Sequence, residues 1–128
     1  PCLVFDEVDA GVGGAVAEMV GRQLRALSEL GQVLCVTHLP QVASQADRQV
    51  RVKKRTDRGA TRTALEPLEG DARVDELARM LGGTSVTERA REHAREMLQT
   101  ALGKSRGRRS SASPIGAGSS RARNGRAG

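Results

Sequence analysis

A short apolar run near the start of the chain opens directly onto carboxylates. Residues 3–5 are Leu-Val-Phe, Asp6 and Glu7 follow at once, and Asp9 comes two positions later. A continuous apolar run of this length, bounded by acids and glycines, predicts a buried strand. Strands of parallel sheets are covered on both faces, so their sequences are continuously apolar instead of alternating. The acids therefore follow a predicted parallel strand at its carboxyl end.

A helix and a second strand are predicted to follow. Apolar residues recur at three- and four-residue steps through 13–30 and predict an amphipathic helix with its apolar stripe in the core. That stripe consists of Val12, Val16, Met19, Val20, Leu24, Leu27 and Leu30. A second apolar run, 32–36, ends just before Thr-His. Two buried strands joined by a helix form a βαβ unit, which brings Asp6, Glu7 and His38 to one edge of the sheet.

The middle of the chain predicts a β-hairpin. Residues 48–55 and 61–65 alternate in polarity, and Asp-Arg-Gly at 57–59 supplies the turn. The basic residues of this region are Arg48, Arg51, Lys53, Lys54, Arg55, Arg58 and Arg62. Such a set can contact phosphates, or it can protect a solvated edge hairpin from aggregation. We favour the solvated hairpin, because Phe5 is the only aromatic residue of the chain and none is present here for base stacking.

Two more helices precede a change in composition. Residues 74–81 carry apolar side chains at helical spacing, and a glycine pair ends that helix. Ser85 to Glu88 fits a capping box for a last helix. The buried side of that helix is predicted to consist of Val86, Ala90, Ala94, Met97 and Leu98, with His93 bordering it at the surface or half-buried. From 103 to 128 Gly, Ser, Ala and Arg dominate, which predicts a disordered tail.

The formal charge of +6 is concentrated in that tail. Residues 103–128 hold seven basic residues and no acids; subtracting these from 21 leaves 14 basic against 15 acidic residues in 1–102. The folded part is thus near neutral, and the basic pI is no argument that it binds nucleic acid. The tail is either a salt-sensitive arm for DNA phosphates or an extension without function.

The remaining composition excludes several classes of protein. Cys2 and Cys35 fall in predicted core strands, where a free thiol behaves as a small hydrophobe. With only two His and no Cys-x-x-Cys, the sequence argues against a zinc site. No apolar run approaches the length of a membrane span and no signal peptide is visible. We therefore predict a cytoplasmic protein without a membrane partner.

The motifs at the two strand ends resemble those of the ABC-type ATPases. Residues 3–7 are similar to a Walker B strand, Asp9 with its glycines to a D-loop, and Val-Thr-His at 36–38 to a switch-histidine strand. Acids also follow strands simply because loops are solvated. Asp6, Glu7 and His38 are predicted to converge on one crevice, which favours a functional site over solvated loop residues. An oxygen-rich site of this kind suits Mg²⁺ together with substrate phosphates.

The sequences of three longer segments are similar to those of the RecN family, which consists of bacterial DNA-repair proteins related to SMC proteins. The similar segments are 5–14, 36–43 and 76–83, and the resemblance covers roughly residues 1–102. It implies an α/β fold: the C-terminal half of a P-loop ATPase head of the ABC/SMC type, with parallel strands, helices and a β-hairpin, followed by the disordered tail. Gly-x-x-x-x-Gly-Lys-Ser/Thr is absent, so we interpret the chain as the C-terminal piece of a larger protein.

The resemblance also implies a role for each candidate residue. Asp6 would hold Mg²⁺, Glu7 would orient and polarise the attacking water, and His38 would contact the γ-phosphate of ATP. Asp9 would help to bind ATP across the interface between two heads. The implied function is ATP hydrolysis between two copies of the head in DNA double-strand break repair and recombination. The implied partners are a second head and DNA, double-stranded or with single-stranded ends, in a cytoplasmic, nucleoid-associated protein.

Three other functions remain as alternatives. An ABC transporter subunit would share Asp6, Glu7 and His38. A metal-dependent nuclease or topoisomerase would use Glu7 and Asp9 for two-metal chemistry, which requires a further acid upstream. A nucleic-acid-binding module would depend on the basic hairpin and the tail. The sequence after His38, which is similar to that of the RecN family, argues against the transporter subunit.

Overall fold

A computed structural model describes residues 1–82 and 84–110 of the chain, the side chains of 104–110 excepted. The elements in chain order are strand β1 (Cys2–Asp6), helix α1 (Gly14–Leu27), strand β2 (Gln32–Val36), helix α2 (Pro40–Ala43), strands β3 (Gln49–Asp57) and β4 (Ala60–Leu68), and helices α3 (Gly70–Gly82) and α4 (Glu88–Ser110). β1 and β2 form a parallel pair and β3 and β4 an antiparallel pair. The predicted α/β class is confirmed.

The parallel pair has the predicted direction. Cys2 lies opposite Gln32 and Asp6 lies opposite Val36, so both strands end at the same level. Gly31, just before β2, lies against the first residue of the chain, and a Cβ added to it would lie 2.6 Å from the Pro1 carbonyl oxygen. The βαβ prediction is therefore confirmed.

The burial predicted for this pair is wrong. In the described part of the chain Val4 is 65% exposed, Leu3 and Leu34 are also exposed, and Cys2 is at the surface. A continuously apolar sequence indicates that a strand is covered on both faces. Two strands and one helix do not supply that cover, so the apolar faces remain accessible here.

Helix α1 buries two of its small residues fully and its large apolar stripe only in part. Met19 is 59% exposed and Val16 is also exposed, whereas Ala17 and Gly21 are buried. The prediction that the stripe lies in the core is wrong for these residues. An added Cβ at Gly21 would lie 3.1 Å from the Gln41 carbonyl oxygen, which shows how closely α2 approaches.

We expect Gly21→Ala to destabilise the chain. The new methyl would lie 3.2 Å from the Val42 Cα and 2.8 Å from the Gln45 Cγ, so α1 and α2 must separate. Overpacking of this kind costs about 1–3 kcal/mol, which urea unfolding of the 128-residue chain measures. Gly103→Ala is the matched control: nothing lies within 4 Å of its added Cβ, and Ala is favoured in a helix. Equal stability of the two variants would contradict the close contact.

The compact core lies where α2, α3 and α4 meet. Its buried residues are Ala43, Val74, Leu77, Ala78 and Ala94, and Met80, Leu81, Ala90 and Leu98 pack around them. Of the predicted helical positions, Leu81 and Leu98 are partly buried and Val86 is exposed, since it precedes the helix. His93 is exposed, within the range that was predicted.

Both ends of α4 differ from the prediction. Its cap is Thr87, whose Oγ1 accepts a hydrogen bond from the Ala90 N–H at 3.1 Å, and not the predicted Ser85. The helix continues through Ser110, past the predicted start of the disordered tail at residue 103. Residues 104–110 contain one Lys and three Arg, which are good helix formers whose charge suits a helix C-terminus. The rest of the predicted tail, 111–128, lies outside the described residues.

The hairpin is confirmed and is joined to α3 by ion pairs. Its turn residues Arg58 and Gly59 both have positive φ, as a two-residue type I′ turn requires. An Arg51 guanidinium nitrogen lies 2.7 Å from Glu66 on the neighbouring strand, and another lies 3.3 Å from the buried Glu76 on α3. Arg79 also pairs with Glu76. Arg51 therefore fixes the base of the hairpin to the helical core.

We expect acid to weaken this attachment. Hydrogen bonds from Arg51 and Lys53 lower the pKa of Glu66 from 4.5 to about 2. A carboxyl whose folded pKa is depressed stabilises the fold above its unfolded pKa, and this contribution is lost as the pH falls through its folded pKa. The loss thus begins near pH 4.5 and ends near 2. Unfolding midpoints recorded across this window should fall less in Glu66→Gln than in the exposed control Glu69→Gln. An equal fall would contradict this role of Glu66.

Candidate functional site

The candidate site lies at the carboxyl ends of β1 and β2. Asp6 is the last residue of β1, and Thr37 and His38 follow the last residue of β2 in the register described above. The parallel pairing therefore places the three predicted residues Asp6, Glu7 and His38 along one edge. All three are exposed, and the side chain of His38 is 77% exposed. They are open to a ligand at this edge.

The backbone turns sharply at Glu7. Its φ of 54° lies in the left-handed region, which is strained for a residue with a side chain. The Glu7 carbonyl then accepts a hydrogen bond from the Ala10 N–H at 3.1 Å, and the Asp9 carbonyl accepts one from Val12 at the same distance. Gly11, with φ 72°, completes the loop. A strained acid that follows a strand is typical of functional sites, where the surrounding structure maintains the strain.

Asp9 differs from Asp6 and Glu7 because it is buried. It is 2% exposed, and its Oδ2 accepts a hydrogen bond from the Thr37 hydroxyl. The same oxygen lies 4.0 Å from His38 Nδ1. Thr37 Oγ1 in turn accepts a hydrogen bond from the Leu39 N–H at 3.0 Å. The structure thus brings Asp9 and His38 together through contacts within one chain.

The negative charges of Asp6 and Asp9 act on Cys35, near the end of β2. The Cys35 thiol has a raised pKa, first because it is partly buried and then because Asp9 and Asp6 oppose formation of the thiolate. Cys35 is half-buried, so its predicted place in the core is only partly correct. A cation at this edge would be favoured by the same negative potential.

The donors fit Mg²⁺ bound together with phosphates better than an all-protein metal site. Within 1–82 and 84–110, no group of three or more His, Cys, Asp or Glu side chains is arranged to hold a metal ion. Mg²⁺ commonly uses only one or two carboxylates and completes its shell with water and substrate phosphates. Asp6, an exposed carboxylate at the end of a parallel strand, meets that requirement.

Sequence reasoning missed the part played by Thr37. Its hydroxyl joins Asp9, on the loop after β1, to the Leu39 N–H, at the start of α2. The available signal was a hydroxyl residue directly after an apolar strand and directly before a candidate histidine. That position alone does not reveal which group the hydroxyl contacts.

The comparisons with known proteins identify the family. No protein-family model matches the chain. The DNA repair protein RecN of Streptomyces coelicolor is 54% identical over 101 residues, 79% of this chain and 18% of that protein. The RecN proteins of Xylella fastidiosa (strain Temecula1) and Deinococcus radiodurans are 52% and 50% identical, each over 77% of this chain. The chain belongs to the RecN family. It corresponds to the C-terminal part of RecN and spans less than a fifth of these relatives.

A solved structure shows the same fold. It comes from work on ATP-driven dimerization and DNA-stimulated activation of SMC ATPases, and superimposes with a TM-score of 0.52. The match covers 66% of this chain and 50% of that chain at 19% sequence identity. At this identity the likeness shows the fold, which is that of an SMC ATPase. Among the helices described here, none is both long and apolar enough to span a membrane.

Proposed function

We propose that this RecN segment is the C-terminal lobe of an ATPase head, and that the whole protein hydrolyses ATP in DNA repair. The observation that carries the proposal is the parallel pair of strands, which brings Asp6, Glu7 and His38 to one edge. The relatives named as DNA repair proteins and the SMC ATPase fold support it. A transporter subunit has no comparable support among these relatives.

Asp6, Glu7 and His38 would each have a different role in phosphoryl transfer. Asp6 would hold Mg²⁺, which supplies charge neutralisation at the phosphates when it is bound. Glu7 would accept a hydrogen bond from the attacking water and orient it, and His38 would donate a hydrogen bond to the γ-phosphate. Phosphoryl transfer needs little covalent help from the protein, so such positioning and charge stabilisation account for most of the catalysis.

The proposed partners are a second head and DNA. The solved SMC ATPase is described as dimerizing with ATP and as stimulated by DNA, and we extend both properties to the whole RecN protein. DNA double-strand break repair by recombination, in a cytoplasmic and nucleoid-associated protein, belongs to the same proposal. The DNA partner would be double-stranded or carry single-stranded ends.

The hairpin is less suited to DNA than its charge implies. Arg51 and Lys53 both lie within 3 Å of Glu66, so this acid neutralises part of the basic set. Arg51 also contacts the buried Glu76. These contacts favour the solvated-hairpin interpretation, and the proposed DNA contact of the head is not assigned to the hairpin.

We expect the 128-residue chain alone to show no binding in an ATP titration, whereas the full-length protein should bind and hydrolyse ATP. The chain lacks the phosphate-cradling sequence whose backbone N–H groups supply most of the contacts to ATP phosphates. Isothermal titration of the chain and a phosphate-release assay of the full-length protein make the comparison. Saturable binding by the chain would contradict the proposed division of the site. No turnover by the full-length protein, with or without DNA, would contradict the proposed function.

A further inference from the structure

Asp9 is a buried acid that the proposed chemistry does not explain. At 2% exposure, its carboxylate has lost most of its contact with water. A buried carboxylate is tolerated only when hydrogen bonds or opposite charges compensate it. The compensating groups therefore indicate what the residue does, and in this structure they are Thr37 and His38.

These contacts hold the backbone on both sides of His38. Thr37, just before it, donates its hydroxyl hydrogen to Asp9, and Leu39, just after it, donates its N–H to the Thr37 hydroxyl. The segment that carries His38 is thus attached to the loop after β1 through one acid. Loss of that acid removes the hydrogen bond that attaches Thr37, and with it the His38 segment, to the loop after β1.

The same acid faces the imidazole. Asp9 Oδ2 lies 4.0 Å from His38 Nδ1, and the imidazole itself remains largely exposed. The carboxylate therefore lies on the Nδ1 side of the ring and limits the orientations that the ring can adopt. Nε2 is then the ring nitrogen left for a ligand at the exposed edge.

We propose that Asp9 is a positioning residue that acts within its own head, through Thr37 and His38. The inference rests on the proposed function for its catalytic consequence. It replaces the expectation that Asp9 helps to bind ATP across the interface between two heads. A side chain that is 2% exposed and already faces its own chain has no surface to offer a second head.

The first test is Asp9→Asn in the full-length protein. We expect kcat to fall by about 10- to 100-fold, the size of loss seen when a carboxylate that orients a metal-ligating histidine is removed. The KM for ATP and ATP-dependent dimerization should stay unchanged. Asp57→Asn, at the exposed hairpin turn, is the matched control and should keep normal turnover. Weakened dimerization with normal kcat would overturn the inference and leave the proposed ATPase function intact.

A double-mutant cycle distinguishes positioning from a general structural role. In a His38→Ala background, Asp9→Asn should cause no further loss of kcat, because both changes remove the same interaction. Thr37→Val should reproduce the loss, and Thr37→Ser, which keeps the hydroxyl, should restore turnover. Independent, multiplying losses would overturn the inference even where His38 is needed for hydrolysis.

A spectroscopic measurement separates this inference from the ATPase proposal. The ¹⁵N shifts of the His38 ring report the surroundings of its two nitrogens, and they need no turnover. In the full-length protein, Asp9→Asn should change these ring shifts because the Asp9 carboxylate lies beside Nδ1, whereas the control Asp57→Asn should leave them unchanged. Unchanged ring shifts in Asp9→Asn would overturn the inference. Altered shifts in a protein without ATP turnover would uphold the contact and refute only the proposed function.

Discussion

Glu7→Gln in the full-length protein is expected to abolish ATP turnover while sparing ATP binding. Glu7 is exposed at the end of β1 in a left-handed backbone conformation, where its carboxylate can accept a hydrogen bond from the attacking water. The amide keeps the size of the side chain but loses its charge and basicity. Loss of a group that aids proton transfer lowers turnover by about 10²- to 10⁴-fold. The Glu7→Gln variant should bind ATP and Mg²⁺ as well as the unchanged protein does, since Asp6 is still present.

Phosphate release measured at saturating ATP, together with the dissociation constant for ATP, makes this comparison. Glu92→Gln, an exposed acid on α4 away from the β1–β2 edge, is the control and should keep normal turnover. Wild-type turnover in Glu7→Gln would refute the assignment of Glu7. Loss of ATP binding together with turnover would show instead that Glu7 helps to hold the nucleotide.

Leu77→Ala is expected to cause the largest loss of stability among single substitutions in the described core. Leu77 is the largest side chain that is fully buried, and it lies among Val74, Ala78 and Ala94. Its neighbours are mostly small, so they cannot expand to fill the cavity left by the missing atoms. A Leu→Ala change at such a site costs about 2–5 kcal/mol.

Urea unfolding of the 128-residue chain, followed by circular dichroism, measures the change in free energy. Leu30→Ala is the matched control, because Leu30, three residues after the end of α1, is 79% exposed and has little contact to lose. Its effect should stay within about 0.5 kcal/mol. Similar midpoints for the two variants would show that the core around Leu77 is not formed in the isolated chain.

Local patterns were sufficient for the elements and for their order. The apolar runs at 3–5 and 32–36 predicted the two strands. The helix predicted between them indicated that the strands pair in parallel, as they do. Alternation with Asp-Arg-Gly predicted the hairpin, because Gly59 adopts the positive φ that its turn demands. The shared edge of Asp6, Glu7 and His38 followed from that pairing alone.

Burial was predicted poorly, because it depends on what covers an element. The stripe on α1 is apolar, yet Met19 is exposed and Gly21 is buried. Hydrophobic spacing identifies the face that is able to be buried, whereas the close approach of α2 depends on the absence of a side chain at Gly21. The partly buried ion pair between Arg51 and Glu76 was missed for the same reason, since 24 residues intervene and neither position carries an apolar signal.

By itself, the sequence determined the order of the elements, the parallel direction of the first two strands and the edge where three functional candidates lie. These follow from periodicity and chain connectivity, which are local properties. Only the tertiary structure decided that Asp9 is buried against Thr37 and His38, and that α1 buries two small residues more fully than its large apolar stripe. A carboxylate's partners depend on which loops meet in space, and in this fold the turn after β1 meets the end of β2.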